Sequence, residues 1–182
     1  MKILYTICFD ESRDKDRPYF DNIRDVIINC LISVVKQMDD NDEIVFFLDG
    51  KDPQDTINTI CKQYNVNYII KSFNNPVSKT LNKGCLMAKE CISYINKNIT
   101  NEKELIYLCE DDYLHYNGSL DIIKEFLFKY PFYFCHPIDY PNLYEEHLPQ
   151  HHTNQYSEII ITENRHWRSI KNSTMTFAFT KH

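Results

Sequence analysis

The chain has 182 residues, enough for one domain with a substantial core, and its 43% hydrophobic and 14% aromatic content marks it as globular rather than disordered. A net charge of −6, with no basic run longer than two residues, argues against a nucleic-acid-binding groove. Only three glycines occur, Gly50, Gly84 and Gly118, and none lies near another; this excludes the glycine-rich phosphate cradles of Walker and dinucleotide-binding loops.

The first strand is predicted over Lys2–Phe9, rich in β-formers and followed by a charged loop. Apolar residues at helical spacing then predict a helix within Pro18–Met38. A short buried-type strand follows at Glu43–Leu48, a helix at Asp55–Tyr64 and a strand at Asn67–Ser72. Ser78–Asn96 reads as a long amphipathic helix, Glu104–Cys109 as the next strand and Ser119–Lys129 as a further helix. Beyond it the pattern weakens. Pro131–Ile138 is expected to be a strand, Asp139–Tyr156 a loop, and Glu158–Thr162 and Met175–Thr180 short β runs. Apolar strands alternating with helices predict an α/β fold with a mainly parallel central sheet, built as a single domain over residues 1–182.

The seven cysteines are scattered and form no CxxC pair, which fits small buried hydrophobes in a reducing compartment better than a disulfide framework. The apolar start of the chain is cut by Asp10 and Glu11, so it reads as a strand and not as a signal peptide. No run approaches the ~20 apolar residues of a membrane span. The expectation is a soluble, cytoplasmic protein.

Ligands of parallel α/β sheets sit beyond the carboxyl ends of the strands. Acidic residues gather there: Asp10 after the first strand, Asp49 after the second, and Glu110-Asp111-Asp112 after the fourth. Three adjacent carboxylates repel one another unless something neutralises them. A hard cation with oxygen ligands, Mg²⁺ or Mn²⁺, does so when held by one or two carboxylates and a substrate's phosphates. The same run also reads as a solvated turn leading into the helix at Ser119. His147, His151 and His152 lie in a Pro-flanked loop with no matching cysteine, and their spacing fits no structural zinc site.

The order of these pieces (Asp49-Gly50-Lys51-Asp52, Leu81-Asn82-Lys83-Gly84, then Glu110-Asp111-Asp112) resembles the nucleotide-sugar-binding half of a family 2-like GT-A glycosyltransferase, a Rossmann-like three-layer sandwich. The run EDDYLH over 110–115, and HWR at 166–168 with NSTMTF at 172–177, further resemble small glycosyltransferases of large DNA viruses and some bacteria. The sequence departs from the common pattern in two places. Cys8-Phe9-Asp10-Glu11-Ser12 replaces the usual first loop, and LDGKD lacks a doubled Asp and a Ser. The chain is also short for such a domain, as a fragment or a minimal viral version would be; a viral protein would work in the host cytoplasm.

The resemblance implies a metal-dependent, inverting glycosyltransferase with a nucleoside-diphosphate sugar donor, UDP-linked, and a glycan or other hydroxyl acceptor. Asp112 becomes the direct ligand of Mn²⁺ or Mg²⁺, with Glu110 and Asp111 on the ribose or on metal-bound water. Thr6, Asp10 and Asp49 would lie near ribose and base, Ser78 near the diphosphate, and His182 is a further candidate metal ligand. Inverting transfer needs a base for the acceptor hydroxyl, and Asp139 and Glu163 are the two candidates. Arg168 could pair with the diphosphate or with a structural carboxylate, and Trp167 could stack on a sugar or fill the core. Two competing readings use the same acids: a metal-dependent phosphohydrolase or nuclease, and a non-catalytic interaction module.

Overall fold

The computed structural model describes residues 1–8, 22–49, 54–73, 83–137, 158–163, 165–169 and 176–182. Its elements are β1 (Lys2–Cys8), α1 (Ile23–Val35), β2 (Glu43–Asp49), α2 (Gln54–Gln63), β3 (Asn67–Phe73), α3 (Lys83–Asn98), β4 (Leu105–Glu110), α4 (Ser119–Lys129), β5 (Ile159–Ile161), β6 (His166–Arg168) and β7 (Phe177–Thr180). A five-stranded sheet runs in the order β3-β2-β1-β4-β7, and β5 and β6 form a separate hairpin. The first four strands of that order pair in parallel, while β7 pairs antiparallel to β4.

Period-two alternation divides the strands between two cores. Ile3, Tyr5 and Ile7 of β1, Ile44, Phe46 and Leu48 of β2, and Tyr107 and Cys109 of β4 pack with residues of α1, α2 and α4. Leu4, Val45, Phe47, Ile106 and Leu108 face the other way, onto Met87, Cys91 and Ile95 of α3. Helices thus cover both faces of the sheet, and the predicted mainly parallel α/β fold is the one observed.

Local signals explain the helix starts. Asn22 caps α1, its side-chain oxygen accepting the Asp25 amide at 2.8 Å. Gly118 precedes α4 at φ 83°, a left-handed conformation that suits glycine. At the amino ends of the strands, Lys124 of α4 donates to Asp39 and to the buried Asp42, each at 2.7 Å. That pairing draws the carboxylate of Asp39 below its usual range.

One expectation needs correction. Pro131–Ile138 does not form a strand where it is described: residues 131–133 turn, the Tyr133 amide bonding to the Tyr130 carbonyl, and Cys135 makes an isolated bridge to Ala178. Proline at the start fixes φ and lacks a donor, and Phe132 and Phe134 are exposed rather than paired into a sheet. The HWR segment, conversely, is a strand that composition did not reveal. Among the described residues, no helix is long and apolar enough to cross a membrane.

Candidate functional site

In the order β3-β2-β1-β4 the direction of strand succession reverses between β1 and β4. Such a switch point opens a crevice beyond the carboxyl ends of the two strands, where α/β proteins bind ligands. Thr6 of β1 lies opposite Glu110 of β4, and Cys8 opposite Asp49, so these strand ends come together at one edge. The acidic triplet leaves the sheet at that edge.

Each acid of the triplet has a different setting. The Glu110 amide donates to the Thr176 hydroxyl oxygen at 3.2 Å, and the Thr176 hydroxyl donates back to Glu110 Oε2 at 3.2 Å. Thr176 is fully buried. Asp111 is only 3% exposed, and its Oδ2 accepts the Cys8 amide at 2.8 Å. It therefore ties the end of β1 to the end of β4. Asp112 follows in the turn and is half-buried.

Behind the triplet stands a second polar group. The His115 Nδ1 lies 3.0 Å from the Tyr113 carbonyl, which can only accept, so Nδ1 carries the proton. Nε2 is then the acceptor for the Tyr107 hydroxyl at 2.6 Å. Burial lowers the His115 pKa to about 4, against a smaller upward pull from the Tyr113 carbonyl. The ring is neutral at physiological pH. Burial likewise pushes the Cys109 thiol and the Tyr107 hydroxyl well above their ordinary values.

The remaining expected residues scatter. The Thr6 hydroxyl donates to the Cys109 carbonyl at 3.3 Å, bracing β1 against β4. Asp49 closes β2 at the same edge. Asp10, Ser78 and Asp139 lie outside the described residues, as do His147, His151 and His152. Arg168 is half-buried in β6, paired with Ile159. Glu163 is exposed, and its amide donates to Glu125 Oε1 on α4 at 2.9 Å. Trp167 belongs to the packing: its ring lies 4.5 Å from that of Phe126, and its Nε1 donates to the Thr162 hydroxyl at 3.3 Å.

His182 is not brought to Asp112. It follows β7, whose Thr180 pairs with Leu105 at the start of β4, whereas Asp112 follows the end of β4. Strand rise alone separates the two ends by about 20 Å. His182 instead stacks on Phe132 at 4.7 Å, with Nε2 2.8 Å from the Pro131 carbonyl. Antiparallel pairing of β7, which sequence spacing did not reveal, is the reason. A cavity of about 290 Å³ opens at that end, lined by Ile95, Phe132, Phe134, Phe179 and His182 among others.

Thr176, Tyr107 and His115 are the site residues that sequence reasoning left without a role. Tyr107 stands in the apolar run before the acidic triplet, and Thr176 and His115 stand inside the motifs at 172–177 and 110–115. Thr176 reaches Glu110, 66 positions away, and the His115 amide reaches Ser33 of α1, 82 positions away, contacts that the motifs could not show.

Among the described residues, no three His, Cys, Asp or Glu side chains converge as a ready cage for a cation. With Asp111 turned into the fold, the donor set suits a hard ion held by one or two carboxylates and completed by substrate oxygens, the usual habit of Mg²⁺.

An α/β domain with an acidic turn at its sheet switch point belongs to the class of folds that bind ligands beyond the strand ends. The Glycosyl transferase family 2 profile matches residues 18–180, and the chain belongs to that family. The solved structure of S. aureus TarS residues 1–349 is similar over 99% of this chain, with a TM-score of 0.54 and 14% identity. The likeness, at that identity, is one of fold, and it supports the GT-A architecture. This chain spans 47% of that TarS chain, about half its length. No curated protein sequence matches.

Proposed function

We propose that this domain is a metal-dependent, inverting glycosyltransferase that takes a nucleoside-diphosphate sugar, UDP-linked, and transfers the sugar to a hydroxyl of a glycan or other acceptor. The observation that carries the reading is the acidic turn Glu110–Asp112 at the β1/β4 switch point, in a chain of glycosyl transferase family 2. Asp112 would hold Mn²⁺ or Mg²⁺, which when bound supplies a Lewis acid for the negative charge that grows on the departing diphosphate. Glu110, braced by Thr176, is suited to accept hydrogen bonds from a ribose or from water. Asp111 acts from behind by fixing β1 to β4. Thr6 and Asp49 stand at the same strand ends and Asp10 follows the first strand in sequence, so these three are the candidates for nucleoside contacts, and Ser78 and Arg168 are the candidates for the diphosphate. Asp139 is our choice for the base that takes the acceptor proton, with Glu163 its rival. The viral likeness rests on the motifs at 110–115, 166–168 and 172–177.

Calorimetry with UDP and Mn²⁺ tests the reading. Binding should require the metal and be lost in Asp112→Ala, while Asp139→Asn should bind UDP as the wild type does and fail in transfer. Asp112→Ala binding at wild-type affinity would sink the metal–diphosphate assignment. Mn²⁺-dependent hydrolysis of nucleotides that carry no sugar would point to a phosphohydrolase instead.

A further inference from the structure

The turn that carries the acids is clamped at its two ends by one side-chain pair. Tyr107 stands on β4 three residues before Glu110 and is fully buried. His115 stands three residues after Asp112. The 2.6 Å bond from the Tyr107 hydroxyl to His115 Nε2 closes the segment between them, and the two rings meet edge to face at 5.7 Å. The imidazole is itself held, because its Nδ1–H donates to the Tyr113 carbonyl inside the same turn. The far end is seated on a helix: the His115 amide donates to Ser33 Oγ of α1 at 2.9 Å, and the Ser33 hydroxyl donates to the Cys30 carbonyl at 2.6 Å. All three acids lie within the closed segment.

We infer that Tyr107 and His115, seated on Ser33, are positioning residues that set the carboxylates of Glu110 and Asp112 for the donor diphosphate and its metal. The inference rests on the reading of the site given above. A cation site completed by substrate needs its carboxylates in place before the substrate arrives, to within about 0.5 Å. A turn free to move would need to be ordered each time the donor binds, and affinity would fall accordingly. Neither Tyr107 nor His115 needs to touch the donor.

The full chain is titrated with UDP and Mn²⁺ as wild type, Tyr107→Phe, His115→Ala, His115→Gln, Ser33→Ala and Asp112→Ala, at a temperature where each melts cooperatively well above the assay. Mutating the residues behind a metal's direct ligands typically weakens metal affinity about 10–100-fold, and Tyr107 and His115 act on the turn rather than on a carboxylate directly. Tyr107→Phe and His115→Ala should weaken Mn²⁺-dependent UDP binding about tenfold. His115→Gln, whose amide oxygen can still accept from Tyr107, should recover part of the loss. Hydrogen exchange should quicken in residues 110–116 and stay unchanged in β2. Ser33→Ala is the milder variant should the others fail to fold, and it should move both readouts in the same direction. Wild-type affinity in Tyr107→Phe, His115→Ala and Ser33→Ala, with binding lost in Asp112→Ala, overturns the positioning role and leaves the site standing. A wild-type protein that ignores UDP and Mn²⁺, or an Asp112→Ala variant that binds them normally, overturns the site and this inference with it.

Discussion

His115 makes stability depend on pH in a way that one substitution isolates. Its pKa is lowered by burial to about 4 in the folded chain, against an ordinary value of 6.5. Above pH 6.5 the ring is neutral in folded and unfolded chains alike, and its contribution is fully present. As pH falls below 6.5, the unfolded chain takes up a proton that the folded one refuses, so stability declines. The decline stops near pH 4, where the folded ring is protonated as well. Each pH step in that window is worth about 1.4 kcal/mol, so the whole window amounts to about 3 kcal/mol. This is an upper figure, because the ring keeps some contact with solvent. Protonation at Nε2 also removes the acceptor for Tyr107, whose hydroxyl is buried. Urea unfolding of wild type and His115→Gln from pH 7.5 to 4, with a chelator present, gives two profiles whose difference cancels the shared carboxylates. Wild type should lose more than the variant across that range, by up to about 3 kcal/mol. Parallel profiles would refute the reasoning, and so would a His115 ring proton that titrates near 6.5 by NMR.

Three further substitutions probe the core and the sheet edge by urea unfolding. The Tyr5 hydroxyl is buried with no hydrogen-bond partner among the described residues, so Tyr5→Phe should leave stability unchanged or raise it by about 1 kcal/mol; a clear loss would reveal a partner. Asp42, 2% exposed, accepts from Lys124 and from the Asp39 amide, and Asp42→Ala should cost about 3 kcal/mol, with little change on adding salt. Asp111→Ala takes the acceptor from the Cys8 amide and should cost about 2 kcal/mol, whereas Asp111→Asn, which keeps an oxygen there, should cost less. Equal losses in the Ala and Asn variants would show that the charge, and not the acceptor, matters at Asp111.

The strands were legible because burial on both faces demands continuous apolar runs. EIVFFL of β2 and ELIYLC around β4 could hardly be anything else, and the structure begins or ends each within a residue of its predicted bound. Helix α4 was legible to the residue, since Gly118 and the apolar spacing mark its start. The aromatic run after Pro131 misled because β-propensity describes side chains that suit a pleated surface, and here the surface is solvent. Strand β6 was hidden for the opposite reason. Its three residues pair with β5 and are steadied by Trp167 against Phe126, a contact 41 positions away that no local pattern carries. The acidic turn could be read from residue types alone, but the direction of each carboxylate could not. His182 shows the limit most plainly: one antiparallel strand sends it to the far end of the sheet.

Three adjacent acids invite a single joint role, and the geometry divides them. Here the middle acid, Asp111, meets the Cys8 amide, and Glu110 is braced by a threonine from β7's approach. A glycine-poor edge has few places where backbone amides can crowd around an anion, and at the end of β1 an amide is itself bound by a carboxylate. On the proposed reading, a cation at that edge would offset the repulsion between these carboxylates and a donor diphosphate. The Asp111 carboxylate also holds together the strands on which its neighbours stand. Loss of binding on neutralising all three acids together would say nothing about which one meets the metal, whereas single substitutions at 111 and 112 separate folding from binding.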